Sequence, residues 1–486
     1  MTRVTVVGGG IAGLAAAREL ALAGAEVTVL EQGSRWGGKL DSVVVDELAL
    51  DAGAESVLAR RPEAVRLMGA LGLDAEIVHP TSARPQLLVG GRLHAMPPSL
   101  QGVPVDVEAL AGLLSPAGLA FARAEPDRPA PGWEGDVTIG NYVDQRFGTE
   151  VTDRLLEPLL GGVYAGRARD LSFAAVAPEL FARARAGGSL LQHARAGSKP
   201  NTGAPVFAGL VGGVVGLVQA LVADLTARGA ILRTGTAVRG LARGTDGSWR
   251  LTCGPATAAQ HLETDGLVLA VPAGPAGRLT AGLLPTAAAY AAIPYASVAV
   301  VTLVVRGLET DRSGVLIPPG ETPSLKALTY SSVKWDWVRE RAEAAWGPGV
   351  TVVRASLGRI GENRLLQVDD DRLLARTVAE ALALPGWSQA ELLQARLTRW
   401  GGALPQYLVG HRDLIVRLRN DLAEVPGLAM AGAALDGVGI AACVGSAAVA
   451  ATKIIAELGL SDHDQVRPAA VRRQETEHDQ LEESTR

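Results

Sequence analysis

Apolar and polar positions follow two periods along this chain, and the first sixty residues show both. Val4, Val6 and Val7 form a short β-branched run, as expected of a strand buried on both faces of a parallel sheet. A glycine-rich turn follows. Residues 11–22 are then rich in Ala and Leu and free of proline, which predicts a helix. Val27, Val29 and Leu30 return to a strand pattern. Beyond residue 60 the alternation breaks. Residues 62–72 predict a helix and 86–94 a hairpin turning at Gly90-Gly91. From Val105 to Arg195 the pattern is mostly helical, interrupted by a Pro-rich linker at 125–133. Residues 214–275 resume a helix-and-strand alternation. Strong strands are expected at 295–306 and 350–358, and a helix at 370–384. A last apolar run at 428–432 leads through glycines into a helix at 442–457. No internal repeat is visible. Residues 461–486 are polar and mixed in charge, which predicts a disordered tail.

The turn after the first strand carries chemistry. Gly8, Gly10 and Gly13 give G-x-G-x-x-G, with Gly9, Ile11 and Ala12 between them. The first glycine permits a tight turn, the second lets the backbone approach a pyrophosphate, and the third lets the helix pack close to the sheet. The helix N-terminus aims backbone N–H groups at phosphate. Glu31 ends the second strand, about 20 residues past the glycines, where a carboxylate accepts ribose hydroxyls. Strand, turn, helix and acid together predict a bound dinucleotide.

Composition narrows the class. The chain has 486 residues, 48 % hydrophobic and 20 % charged, with net charge −5. That is long enough for two or three domains, and nothing in the charge points to nucleic acid. The two cysteines, Cys253 and Cys443, have no metal or redox spacing, and the seven histidines make no ligand cluster. No metal is expected, and the thiols fit a reducing cytoplasm. The first strand begins almost at once, so no signal peptide is expected. Residues 203–223 carry no charge and match a spanning helix in length. Pro205 and five glycines break that stretch, which predicts a strand, a glycine turn and a helix instead of a membrane span.

Two levels of resemblance add to this reading. Gln32 to Leu40, with the paired glycines Gly37-Gly38 and then Lys39, resembles the E-x(5)-GG-[KR] stretch of the amine oxidase and phytoene desaturase superfamily of flavoproteins. Asp51-Ala52-Gly53-Ala54-Glu55-Ser56 resembles that superfamily's D-x-G-x motif beneath the isoalloxazine. Four further segments are similar to the protoporphyrinogen and coproporphyrinogen oxidases. They are Glu157–Gly166 with Leu171-Ser172, Tyr330–Trp335, Arg399-Trp400 with Leu404–Tyr407 and Gly410-His411, and Ala431–Ala447. The compact bacterial segments resemble the Gram-positive type. Together the likeness runs from residue 3 to about 457.

The resemblance implies an α/β fold: a discontinuous Rossmann-like FAD-binding domain, a mixed-sheet substrate domain and a helical inserted domain. Residues 1–60, 214–275 and 425–460 are expected in the first, 61–104 and 276–424 in the second, and 105–213 in the third. It implies FAD as cofactor and flavin-centred oxidation of a porphyrinogen to a porphyrin in heme biosynthesis, without catalytic acid or base. O2 is the expected acceptor and H2O2 the product. Coproporphyrinogen III is favoured over protoporphyrinogen IX. Implied cofactor contacts are Gly8 to Gly13, Glu31, Gln32, Gly38, Lys39, Gly53 to Ser56, Val238, Trp400, Gly432, Val438, Gly439 and Ile440. Implied substrate contacts are Arg84, as a propionate ligand, with Lys39, Gly314, Leu316 and Leu357; Lys334 is a further candidate at the rim. Another flavin amine oxidase or desaturase, and a non-catalytic escort protein of the same fold, are the competing readings. A cytoplasmic protein with at most loose peripheral membrane contact is expected. Oligomeric state is not readable.

Overall fold

The computed structural model describes residues 2–198 and 205–460; the tail expected at 461–486 lies outside the described residues. Five parallel strands form one sheet, in the order Ile231–Arg233, Glu26–Leu30, Arg3–Val7, Gly266–Leu269, Leu428–Met430. Strands from distant parts of the chain thus meet in one sheet. On one face lie the helices Ile11–Leu22, Val215–Ala227 and Ile440–Leu458, whose Leu14, Leu217, Leu221, Ala447 and Ile454 pack with Val6 and Val29. On the other lies an antiparallel meander, Val238–Arg243, Trp249–Cys253 and Gln260–Thr264, packing through Trp249 and Leu251. Both faces are covered, which is why the strands read as continuous apolar runs.

A second sheet has seven strands, in the order Glu391–Pro405, Tyr295–Arg306, Val350–Leu357, Leu325–Tyr330, Gly314–Leu316, Pro85–Val89, Arg92–Ala95. All neighbours are antiparallel except Gly314–Leu316 beside Pro85–Val89. The mixed sheet was expected; the long strand Glu391–Pro405 was not. It is an edge strand, buried only near its end, so its residues show no apolar alternation.

The helical block runs from Pro116 to Gly197 and closes around Ile139, Phe147, Leu155, Phe173, Leu180 and Leu190. Inside it Arg146 is fully buried against Glu125. Glu125 also accepts from the Ser189 hydroxyl (2.5 Å) and the Leu190 amide (2.7 Å).

Packing draws the domain limits differently from sequence. Phe207–Leu210 pairs with Val57–Leu58 and Ile77–Val78, outside the helical block. The helix Pro62–Ala70 packs Ala64, Leu67 and Met68 into the core beside Ile440–Leu458. The helix His411–Ala423 packs Ile415, Leu418 and Leu422 beneath the parallel sheet. Period changes mark where elements begin, whereas long-range packing decides which core they join. From residue 205 onward, the uncharged stretch is the strand Phe207–Leu210, a turn and the helix Val215–Ala227. Among the described residues one helix, Ile440–Leu458, is long and apolar enough to cross a membrane, and ten of its residues are buried in the protein core.

Candidate functional site

The site grows from the C-terminal edge of the parallel sheet, where both Ile11–Leu22 and Ile440–Leu458 begin. Each helix has a glycine N-cap, Gly10 and Gly439, and neither has a side-chain cap. Their first N–H groups are therefore left for a ligand. A methyl group on Gly8 or Gly13 would fall on backbone, the Ala270 carbonyl and the Gly8 carbonyl respectively. On Gly10 it would meet nothing nearer than Gly38 Cα at 4.0 Å, and on Gly439 or Gly432 nothing within 4 Å. The first pair of glycines serves packing; the second set leaves open space, the shape a pyrophosphate needs.

Glu31 spans the loop at the end of the second strand. Its carboxylate accepts from the Gly9 amide (2.8 Å) and the Gly33 amide (2.7 Å). The Glu31 carbonyl accepts from the Thr236 amide (2.8 Å), which brings the strand starting at Val238 alongside. Gln32 is exposed beside it, Gly9 lies under the Trp36 ring, and Ile11 and Ala12 are buried at the helix start. Gly37 and Gly38 take left-handed angles (φ 100° and 59°), and Gly37 bridges to Gly10.

The other wall joins the two sheets. A side chain on Gly53 would strike the Lys39 carbonyl. The Trp400 indole donates to the Ala52 carbonyl (3.0 Å). Arg354 donates to the Gly53 carbonyl and to Glu55. Ala54 and Ser56 lie half-buried on the same segment, and Val438 is half-buried before Ile440. Lys39 places its ammonium 5.6 Å from the Tyr295 ring centre; burial lowers its pKa, against a smaller opposing effect from Cys443. Beyond lies an aromatic group from the family-like segments, to which sequence reasoning assigned no role. Tyr407 stacks on His411 (4.1 Å, 13°) and meets Tyr164 at 5.7 Å. Burial pushes both phenols up, Tyr164 to about 12, and pushes His411 down to about 4.

The residues implied as contacts separate into groups. Gly8 to Gly13, Glu31, Gly38, Lys39, Gly53, Trp400, Gly432 and Val438 to Ile440 surround the cradle. The Glu55 carboxylate is held between Lys334 and Arg354. Burial pushes Glu55 up, but the two cations outweigh it and hold it at about 2. Lys334, half-buried, is thus an ion-pair partner of Glu55. Leu357 is fully buried with Leu88, Ala299 and Leu325; strand alternation turns it to the face opposite Arg354 and Ser356. Leu316 points the other way, toward the helical block, and would lie 3.7 Å from a methyl on Gly162. Gly314 is held at φ 159°, where a methyl would fall on the Leu328 carbonyl. Arg84 lines a separate groove with Arg306, Arg312, Asp336 and Arg339. It stands just before the strand Pro85–Val89, with its side chain exposed. Arg354, Lys326 and Arg359 are charged residues near the site that no motif marked.

The chain matches the family described as flavin containing amine oxidoreductase over residues 11–455. It is 37 % identical over 465 residues to a coproporphyrinogen III oxidase of Mycobacterium tuberculosis, covering 93 % of this chain and 97 % of the relative. It is 30 % identical to human protoporphyrinogen oxidase, covering 93 % and 98 %. Among solved structures it is similar to a putative protoporphyrinogen oxidase from Exiguobacterium, with TM-score 0.81, 29 % identity, and 94 % and 99 % of the two chains covered. A match of this length, laid over a glycine cradle at the edge of a parallel sheet, means that the chain belongs to the flavin containing amine oxidoreductase family.

Proposed function

We propose that this protein is an FAD-dependent oxidase that converts coproporphyrinogen III to coproporphyrin III. The observation that carries the substrate is the near full-length likeness to the coproporphyrinogen III oxidase. The residues present fit FAD. Gly10, Gly38 and the helix starts at Ile11 and Ile440 would hold the pyrophosphate, Glu31 the ribose, and Gly53, Trp400, Gly432 and Val438 to Ile440 the flavin end.

Bound FAD supplies the electron acceptor: the macrocycle loses six electrons and six hydrogens over three turnovers, and O2 is the proposed final acceptor, giving three H2O2. The electron-rich pyrroles stabilise the cation left when a meso hydrogen departs as hydride. Pyrrole N–H protons can pass to water. No side-chain base is therefore required at the reacting carbon, and the protein contributes orientation and exclusion of water. Tyr164 and Tyr407, with pKa values raised by burial, stay neutral and act as aromatic walls. Leu316 faces the helical block as an apolar surface for the macrocycle.

The test is a visible spectrum of the purified protein, followed by fluorescence assays of porphyrin formation from coproporphyrinogen III and protoporphyrinogen IX. Flavin absorbance and higher kcat/KM with coproporphyrinogen III are expected. A colourless protein would sink the enzyme reading. Equal or greater efficiency with protoporphyrinogen IX would move the substrate.

A further inference from the structure

Between the antiparallel sheet and the helix Glu157–Tyr164 lies a charge cluster that the functional reading has not used. Lys326 sits on the strand Leu325–Tyr330, at a break in register where Leu325 pairs with Leu357 but Ala327 pairs with Ser356. Such a bulge re-aims a side chain. Lys326 is 5 % exposed, yet its ammonium makes no hydrogen bond or ion pair with any described residue. Beside it is Arg359, 4 % exposed. One Arg359 amino group donates to the Ile317 carbonyl (2.7 Å), while its Nε is buried without a partner.

Carboxylates are short here. Glu362 lies 3.9 Å from Arg359 but 2.7 Å from Arg167, its closer partner. Glu157 is shared with Arg167 (3.5 Å) and accepts from the Ala168 amide. Lys326 and Arg359 thus share Glu362 and Glu157 with Arg167, so three cations meet two carboxylates. Burying an uncompensated charge is costly, so the cluster has the makings of an anion receptor.

Its position names the anion. The Ile317 amide donates to the Lys326 carbonyl, so Lys326 is one residue from Leu316, the apolar surface of the proposed substrate site. A methyl on Gly161 would lie 3.6 Å from Arg359 Nε, so the helix Glu157–Tyr164 packs its glycine directly over the guanidinium. Gly162 and Val163, the next residues of that helix, are exposed.

We infer that Lys326 and Arg359 form the receptor for a propionate carboxylate of the porphyrinogen, at the end of the site bounded by Leu316 and Gly161. This rests on the substrate class proposed above. An arriving carboxylate would take hydrogen bonds from Arg359 Nε and the Lys326 ammonium, both charge-assisted. Burial first, then the neighbouring Arg359, pull the Lys326 amine down to about 7, with Glu362 opposing. A bound carboxylate would draw the proton back.

The test is coproporphyrin III binding to the flavin-loaded protein, followed by fluorescence, with steady-state kinetics alongside. Lys326→Met is expected to weaken porphyrin binding about tenfold or more, raising KM with little change in kcat, while the flavin spectrum stays as in wild type. Lys326→Arg should restore binding. A Lys326→Met protein that folds, carries flavin and binds coproporphyrin III like wild type would overturn the inference alone. A wild-type protein that oxidises no porphyrinogen would overturn the substrate reading and this inference with it.

Discussion

Two buried charge clusters flank the same antiparallel sheet, and they are built in opposite ways. At Glu55 one carboxylate is held by two cations, Lys334 and Arg354, and Arg354 also caps the Gly53 carbonyl. The carboxyl is correspondingly held at about 2. Around Lys326 and Arg359, with Arg167, three cations meet two carboxylates, Glu362 and Glu157, and the amine is pulled down to about 7. The first cluster is complete within the protein and fixes the Gly53 segment to the sheet. The second is short of negative charge, as a receptor for an anion must be before its ligand arrives. Burial alone does not separate a structural charge from a functional one; the balance of partners does.

The sharpest way to break this contrast is to remove the shared carboxylate. Glu55→Ala leaves Lys334 and Arg354 buried and unpaired, which should cost about 3–5 kcal/mol of stability. Denaturant unfolding of the flavin-free protein would measure it. A loss below about 1 kcal/mol would mean that the triad is no more than a screened surface pair.

Lys326→Met should act with the opposite sign. Replacing a charge that has no partner by an apolar side chain of similar length is expected to stabilise the ligand-free protein by about 1–4 kcal/mol while porphyrin affinity falls. The pH dependence follows from the lowered pKa. Between about 7 and 10.5 the unfolded chain holds the Lys326 proton and the folded protein does not. The unfolded state then binds more protons, so stability rises with pH through that window. The advantage of Lys326→Met should be full below pH 7 and fade toward pH 10. The facing groups are Arg359, Glu362, Arg167 and Glu157; burial lowers the Arg359 pKa, with Glu362 opposing. Thermal unfolding of both proteins from pH 6 to 10 would show whether the two curves converge.

These clusters also mark how far the sequence could be read. The cradle was legible because it is local: three glycines, a helix start and Glu31 lie within 24 residues, and each does its work through backbone shape. Glu55 was legible as part of a motif, but its partners come from positions 334 and 354, so its role as an ion-pair centre was not. Lys326 lies in no motif and in no element that the sequence marked. Only the fold brings the helix Glu157–Tyr164 over it. Leu357 shows the same limit from the apolar side, since alternation reveals two faces but not which one meets the substrate.

A smaller effect is expected in the cradle, where backbone groups share the binding. Glu31→Ala removes the acceptor for the Gly9 and Gly33 amides and for the ribose hydroxyls. The glycines and both helix starts remain, so FAD affinity should fall about tenfold, from the loss of roughly 1.5 kcal/mol of charge-assisted hydrogen bonding, with the fold intact. Flavin retained through extensive dialysis at wild-type occupancy would remove Glu31 from the site.

The smallest expected effect is at Arg84, and it separates the two clusters' logic from that of surface arginines. Arg84 lies in an open groove with Arg306, Arg312, Asp336 and Arg339, just before the strand Pro85–Val89. A solvated arginine there makes no buried, unbalanced charge, so neither stability nor substrate binding should depend on it strongly. Arg84→Ala is expected to leave kcat/KM for coproporphyrinogen III within about twofold of wild type, under 0.5 kcal/mol. Combined with Lys326→Met, its effect should simply add, because the two side chains share no partner. A ten- to hundredfold drop on Arg84→Ala alone, the size of a lost charge-assisted carboxylate bond, would move the propionate receptor to that groove. It would leave Lys326 and Arg359 as an unbalanced pair without a ligand.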